Sequence, residues 1–192
     1  MKKGTIFLLL GIILILASLA MLVFAQYQTR QSEGEAAHVA NTIDSLLPER
    51  SSGFPGMYSN SQMPVLQVEG NDFIALVDIP GFGITLPVGS SWDTGKLSSY
   101  PCRFWGSLYD NSMIIGGSGQ SGQFDFFDRL SPGASIVVTD MMGCEYSYSV
   151  TRIDRTHSAT YERLCEGAFP LVLFAGNRYA TEYLIVRCEL LS

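Results

Sequence analysis

The sequence predicts an all-β domain, folded as a small closed barrel or a sandwich, behind an N-terminal helix that spans a membrane. Strand-like apolar runs recur from Met63 onwards, and about seven or eight such strands suit either architecture. Turn signals such as Pro80-Gly81, Pro132-Gly133 and Gly143 separate these runs at hairpin or loop spacing. Ahead of them lies one long apolar run, residues 5–25. These observations together predict the fold class.

The apolar run at residues 5–25 is long enough to cross a bilayer as a helix. Lys2 and Lys3 precede it and mainly polar or acidic residues follow it, so the positive-inside rule keeps residues 1–4 in the cytoplasm. A cleavable signal peptide is the alternative, because Val23-Phe24-Ala25 resembles a cleavage site, although such apolar regions usually span about 7–15 residues. We predict a single-pass anchor in the cell membrane with an extracellular C-terminal domain.

Residues 26–62 are predicted to connect this anchor to the folded domain. An amphipathic helix suits residues 34–47, and Pro48 would end it. The apolar positions near one face of this helix are Ala37, Val39, Ile43 and Leu46. Residues 49–62 are rich in Ser, Gly, Pro and Asn and have no periodicity, which is typical of a linker. The folded domain is therefore expected at residues 63–192.

Within that domain, the strand-like runs are residues 73–79, 84–88, 112–115, 135–139, 145–153, 171–175 and 183–190. In the fifth run, Tyr146, Tyr148 and Val150 alternate with serines, which predicts one buried and one exposed face. Two short helical pieces, at residues 124–130 and 159–165, are predicted between strands.

The composition excludes several classes of function. A formal net charge of −6 and a pI near 4.8, without any Lys/Arg-rich stripe, argue against a nucleic-acid partner. The four cysteines, Cys102, Cys144, Cys165 and Cys188, form neither a CxxC pair nor a zinc spacing, so we predict no metal and no cofactor. In an exported domain these cysteines suit either two disulfides or buried thiols, and both alternatives stay open.

The sharpest pattern in the chain is a literal GxGxxG at residues 117–122, which follows a strand-like run. Too few residues separate it from the next strand for the parallel crossover of a dinucleotide-binding fold. A serine of this motif would need a base to act as a nucleophile. The 2 histidines of the chain are His38, near the predicted anchor, and His157, in a polar loop, so the sequence indicates no base for it. Cys165 and His157 pair a thiol with an imidazole by residue type, but their spacing across a loop predicts no geometry.

Four phrases of the chain carry a family resemblance. They are FIALVDIPGFGITLPV from residue 73, YPCRFWGSLYDNSMIIGG from residue 100, FDFFDRLSPGASIVVTDMMGCEYSYSV from residue 124, and LVLFAGN with YLIVRCEL at the end. In order and spacing they resemble the sortases, the membrane-anchored cysteine transpeptidases of Gram-positive bacteria. The resemblance covers nearly the whole exported domain and implies a closed eight-stranded β-barrel with short helices.

Sortase chemistry uses a thiolate nucleophile, a histidine that protonates the leaving amine, and an arginine that steadies the oxyanion or positions the substrate. By the resemblance, Ser118 takes the histidine position, Gly176 the cysteine position and Tyr183 the arginine position. Glycine has no side chain to attack a carbonyl, and serine cannot replace imidazole as a proton shuttle near neutral pH. The resemblance implies a sortase fold without sortase catalysis, and we assign no catalytic residue.

We predict that the groove of such a protein is retained as a binding surface. Its candidate residues are Ser118, Phe174, Gly176, Arg178, Tyr183 and Arg187. The expected partners, besides the membrane, are a sorting-signal peptide, a pilin or an active sortase, in an accessory role in cell-surface protein or pilus attachment. Two alternatives stay open. One is an active transpeptidase for LPxTG-like signals with Cys165, Cys188 or Cys102 as a relocated nucleophile, and the other is a structural barrel without a ligand.

Overall fold

The structure is a computed structural model and describes residues 3–54, 62–119, 123–177 and 181–191. The helices are α1 (Lys3–Leu46) and α2 (Tyr161–Leu164), and a 3-10 turn forms at Phe127–Arg129. The strands are β1 (Ser51–Ser52), β2 (Leu66–Val68), β3 (Asn71–Ile79), β4 (Ile84–Gly89), β5 (Cys102–Trp105), β6 (Met113–Ser118), β7 (Ser135–Asp140), β8 (Cys144–Thr156), β9 (Leu171–Gly176) and β10 (Tyr183–Leu190).

Eight of these strands close into a barrel in the order β3, β4, β5, β6, β9, β10, β8 and β7. The circle closes because β7 pairs with both β8 and β3, where Val138 lies opposite Val77. Neighbours run antiparallel except for β6 with β9 and the single parallel pairing of β4 with β5. The predicted all-β fold is confirmed as a closed eight-stranded barrel, and the sandwich is excluded.

The interior of the barrel is filled by alternate side chains of its strands. In β8, Tyr146, Tyr148 and Val150 are buried in the main core, whereas Ser147 is exposed and Ser149 is half-buried. This is the alternation that the sequence predicts. Burying each large apolar side chain stabilises the folded state by about 1.5–3 kcal/mol relative to leaving it in water.

The two predicted helical pieces are shorter than expected. Within residues 124–130 only the turn Phe127–Arg129 is helical, because Phe124, Phe126 and Phe127 all enter the main core. These three positions do not share one face of an α-helix, so a regular helix would expose one of them. The second piece is reduced to Tyr161–Leu164, which buries only Leu164.

Three strands were not predicted. β1 and β2 have 2 and 3 residues, too few for an alternation to be visible in the sequence. β5 has 4 residues, and its pairing with β6 shifts register between Arg103 and Trp105. A register shift of this kind interrupts the two-residue period, so polar and aromatic residues do not alternate along this strand.

The C-terminal turns of α1 pack on the outside of the barrel. The buried positions are Ala36, Val39, Ala40 and Ile43, and the last three contact a cluster that includes Phe73 and Leu76 of β3. Their spacing follows one helical face, whereas Ala37 and Leu46, which the sequence analysis placed near that face, are exposed.

The segment after α1 also contacts the barrel. Ser51 pairs in parallel with Cys144 of β8, and the Arg50 guanidinium lies between Asp44 of α1 and Glu145 of β8. Elements that pack on the barrel therefore begin before Met63, where the sequence analysis starts the domain. The physical reason is that the buried face of α1 covers apolar side chains on the outside of β3.

α1 is a single continuous helix from Lys3 to Leu46, so the predicted anchor and the predicted amphipathic helix are two parts of one element. Pro48 follows its end, as expected for a residue that cannot continue a helix. Within the described residues, no helix is both long enough and apolar enough to cross a bilayer.

Candidate binding groove

Ser118, Gly176 and Tyr183 form one row across three adjacent strands. Ser118 at the end of β6 lies opposite Gly176 at the end of β9, and Gly176 lies opposite Tyr183 at the start of β10. Ser118, which is far from the other two in the sequence, is thus their neighbour on one surface of the barrel. These are the positions at which the family resemblance implies histidine, cysteine and arginine.

The place of a side chain on Gly176 is occupied by the ring of Tyr183. A Cβ atom on Gly176 would lie 3.0 Å from Cε1 of Tyr183. Gly119 approaches from the other side, where its amide donates a 3.0 Å hydrogen bond to the Gly176 carbonyl oxygen. A Cβ on Gly119 would lie 2.5 Å from that oxygen, so only glycine allows this close approach.

A groove of about 460 Å³ opens over this row. Its lining residues are Trp92, Thr94, Leu97, Ser98, Phe104, Gly117, Ser118, Ala159, Phe174, Gly176, Asn177 and Tyr183. Four of the six predicted groove residues, Ser118, Phe174, Gly176 and Tyr183, are therefore brought together. Arg178 lies outside the described residues.

One wall of the groove is a cluster of three aromatic rings. The Trp92 ring lies 5.1 Å from the Phe104 ring and 5.7 Å from the Phe174 ring, between centroids. Gly116 lies beneath them, since a Cβ there would be 2.5 Å from both the Trp92 and the Phe174 ring. The sequence analysis named Phe174 but missed Trp92 and Phe104. The signal that could have found Trp92 is a large aromatic residue in a serine-rich loop after a strand.

A buried glutamine fixes the edge of the groove near Ser118. The Gln123 side chain is 4% exposed, and its Oε1 accepts a 3.1 Å hydrogen bond from the Ser118 amide. Its Nε2 donates a 2.9 Å bond to the carbonyl oxygen of Leu97, another lining residue. One amide side chain therefore joins the end of β6 to the loop across the groove.

The opposite edge is formed by the loop between β9 and β10. The Asn177 carboxamide oxygen accepts a 3.0 Å hydrogen bond from the Thr181 amide. His157, exposed on the loop before α2, has its Nδ1 3.0 Å from the Thr181 carbonyl oxygen. His157 thus contacts the rim, but it does not belong to the described residues that line the groove.

Comparison with solved structures identifies the architecture. No protein-family model matches the chain, and a search of curated proteins finds no match. Sortase A from Corynebacterium diphtheriae matches with a TM-score of 0.54 at 18% identity, over 85% of this chain and 84% of that one. Sortase C-1 from Actinomyces oris matches with a TM-score of 0.55 at 15% identity, over 85% and 99%. The barrel has the sortase fold.

A third match, sortase C1 from Streptococcus agalactiae, has a TM-score of 0.53 at 22% identity and covers 65% of this chain and 69% of that one. At identities below 25%, these TM-scores show a common fold and nothing further. The eight-stranded sortase-like barrel that the resemblance implies is therefore confirmed, and the chemistry of the groove has to be derived from its own residues.

Arg187, predicted as a cation near the groove, has a different position in the sortase-like barrel. The residue is 1% exposed, and its Nε donates a 2.8 Å bond to Asp154. Its two terminal nitrogens donate to the carbonyl oxygens of Arg163, Leu164 and Glu166 at the end of α2. The guanidinium therefore caps α2 instead of facing a ligand, because helix-terminal carbonyls need donors when they are buried.

None of the four thiols is among the described residues that line the groove. Cys102, Cys165 and Cys188 are free thiols; Cys188 lies in the main core and Cys102 lies under α1. Burial raises the pKa of both thiols, that of Cys188 to about 12, so neither forms a thiolate near neutral pH. Cys165 is partly exposed and packs beside α2, outside the described groove lining.

The described lining of the groove contains hydroxyl, amide and aromatic groups but no thiol, imidazole, carboxylate or guanidinium. Such a surface can bind an extended chain through apolar contact and a few hydrogen bonds. Among these described lining residues there is no thiol with an adjacent base, the arrangement that acyl transfer by a cysteine enzyme requires. Among the described residues, no group of His, Cys, Asp or Glu is arranged to hold a metal ion.

Proposed function

We propose that this protein is an extracellular, membrane-anchored binding protein that uses a sortase fold without sortase catalysis. The observation that carries the proposal is the row of Ser118, Gly176 and Tyr183 across β6, β9 and β10. The positions that would form the catalytic site are neighbours, yet they carry a hydroxyl, no side chain and a phenol. A transpeptidase needs an activated nucleophile at such a site, whereas a receptor for a peptide does not.

The ligand class we favour is an extended peptide of the sorting-signal type, presented by a pilin or another cell-surface protein or held by an active sortase. The support is the shape and chemistry of the groove, which combines an aromatic wall with hydroxyl and amide groups from Thr94, Ser98, Ser118 and Asn177. Aromatic walls bury apolar side chains, and polar groups orient a peptide backbone. The protein would then have an accessory role in attaching or assembling such proteins.

The membrane anchor belongs to the same proposal. Its support is the apolar run at residues 5–25 behind two lysines. The apolar side chains of α1 between Leu10 and Phe24 project outward, with Leu14 64% and Phe24 62% exposed. A continuous exposed apolar surface of this kind is suited to lipid. Alkaline carbonate extraction of cell membranes tests the anchor, which predicts that the full chain stays in the membrane fraction.

The deciding experiment uses the full chain in detergent with a fluorescent LPxTG-like peptide and an amine acceptor. Mass spectrometry measures cleavage or transfer, and fluorescence anisotropy measures binding, with an active sortase as the positive control. We expect saturable binding without turnover. Turnover that a single Cys→Ala change at Cys102, Cys165 or Cys188 abolishes would overturn the proposal and identify a relocated nucleophile.

A matched pair of variants locates the binding surface. Trp92→Ala removes one ring of the groove wall and should weaken peptide binding at least fivefold, as expected for a central aromatic contact. Phe54→Ala removes a ring that is 59% exposed and should leave affinity unchanged. Absence of saturable binding across several peptide variants would instead support the structural barrel without a ligand.

A further inference from the structure

A second pocket, of about 440 Å³, lies beside the groove. We call it the arginine pocket and define it by Ser90, Trp92, Arg103, Phe104, Asp110 and Ser112. Trp92 and Phe104 line both the groove and the arginine pocket, so the same two rings separate them. A chain that passes over these rings would contact both surfaces.

Arg103 is the feature of this pocket that needs an explanation. In the part of the chain that the structure describes, no hydrogen bond or ion pair engages its guanidinium. By contrast, Arg50, Arg152, Arg155 and Arg187 each contact a carboxylate. Burial disfavours the charged form of Arg103 and lowers its pKa, yet an arginine side chain stays charged in a protein. A half-buried cation without a partner is a strong site for an anion that arrives with a ligand.

We propose that Arg103 binds a carboxylate of the peptide that occupies the groove, so that the preferred ligand carries an acidic residue beside the segment on the aromatic wall. This proposal rests on the proposed function, because it adds a subsite to the same peptide-binding surface. The guanidinium would form charge-assisted, bidentate hydrogen bonds with the carboxylate. Ser90 and Ser91 line the same pocket, and serine hydroxyl groups there would donate to the remaining oxygen lone pairs.

The charge balance of the pocket favours a carboxylate over a phosphate. Asp110 also lines the pocket, and its carboxylate accepts a hydrogen bond from the Ser112 hydroxyl. With Asp110 also in the pocket, a bound carboxylate leaves the smaller negative excess, whereas a phosphate would itself add about −1.5 to −2 charges at neutral pH and repel Asp110 more strongly. A singly charged acidic side chain therefore matches the pocket best.

The test uses the full chain in detergent and a panel of fluorescent peptides. The parent is an LPxTG-like peptide with glutamine at every flanking position, and each other member replaces one glutamine with glutamate. Wild-type protein should bind at least one glutamate peptide roughly tenfold tighter than the parent, as expected for hydrogen bonds to a charged group. Arg103→Gln should lose this gain, Arg103→Lys should keep part of it, and Arg152→Gln on β8 should keep all of it.

Each outcome separates the two proposals. If the parent binds and no glutamate position improves affinity, or if the gain survives in Arg103→Gln, the arginine pocket is not a carboxylate site, while the groove proposal stands. If a phosphoserine peptide binds tighter than the glutamate peptide at the same position, the preference for a carboxylate is wrong. If neither the parent nor any glutamate peptide binds, both the proposed function and this subsite are overturned.

Discussion

The ring of Tyr183 lies against the Cα of Gly176, so that a Cβ on the glycine would meet Cε1 at 3.0 Å and Cδ1 at 3.3 Å. The two residues are paired in register at the junction of β9 and β10. Contacts this short require the neighbouring group to give way by a few tenths of an ångström. The Tyr183 ring therefore takes up part of the space that a side chain at position 176 would need.

Restoring the three family residues should create activity only when all three are present. Gly176→Cys alone adds a thiol without a base or an oxyanion donor, so it should show no turnover above wild type. The triple variant Ser118→His, Gly176→Cys, Tyr183→Arg also removes the ring that crowds position 176. We expect it to cleave an LPxTG-like peptide measurably, as followed by mass spectrometry.

The control for this experiment is the same triple variant with alanine at position 176, which should be inactive because it lacks the nucleophile. Circular dichroism and thermal unfolding establish that both variants are folded. A folded triple variant without any turnover would show that the groove differs from a catalytic sortase site by more than the three residues.

Much of the barrel could be predicted from the sequence because its strands carry local signals. Residues 183–190 are strand in both the prediction and the structure, and Tyr146, Tyr148 and Val150 are buried as their alternation indicates. The row of Ser118, Gly176 and Tyr183 could be predicted from the family resemblance, because a known fold determines which strand ends are neighbours. Sequence spacing alone could not have brought these positions together.

The features that the sequence did not indicate are interactions between elements that are distant in sequence. Nothing local to Arg187 indicates that the carbonyl groups at the end of α2 surround it. α1 is buried against apolar side chains on the outer face of β3. The alternation of a strand, taken alone, would predict that this face is exposed to solvent. The aromatic wall needs Trp92 from a loop and Phe104 from a strand with a register shift, so neither has a visible pattern.

Arg187 should be a major determinant of stability. Arg187→Ala leaves Asp154 without its buried partner and three carbonyl groups without their donor. We expect a loss of about 3–5 kcal/mol in the free energy of unfolding, measured by urea denaturation. The control, Arg152→Ala, removes an ion pair to the same Asp154 from a side chain that is 50% exposed, and should cost at most about 1 kcal/mol. Equal losses in the two variants would contradict the capping role.

The contact between α1 and the barrel can be measured in the same way. Ile43 is fully buried among Phe73, Leu76 and Tyr100, so Ile43→Ala should lower the free energy of unfolding by about 2–5 kcal/mol. Leu46, one turn further along, is 58% exposed, and Leu46→Ala should change it by no more than about 0.5 kcal/mol. An unchanged stability in Ile43→Ala would mean that α1 does not fold onto the barrel in solution.

The buried thiol of Cys188 predicts how stability depends on alkaline pH. Burial raises the pKa of Cys188 to about 12, whereas an unfolded cysteine has a pKa of about 8.5. Above the lower pKa the unfolded chain ionises while the folded protein retains the proton, so this contribution is complete below about pH 8.5 and is lost as the pH rises towards 12. Its slope approaches about 1.4 kcal/mol per pH unit. Denaturation between pH 8 and 11 should show a shallower decline in Cys188→Ala, and parallel declines in the two proteins would contradict the burial of this thiol.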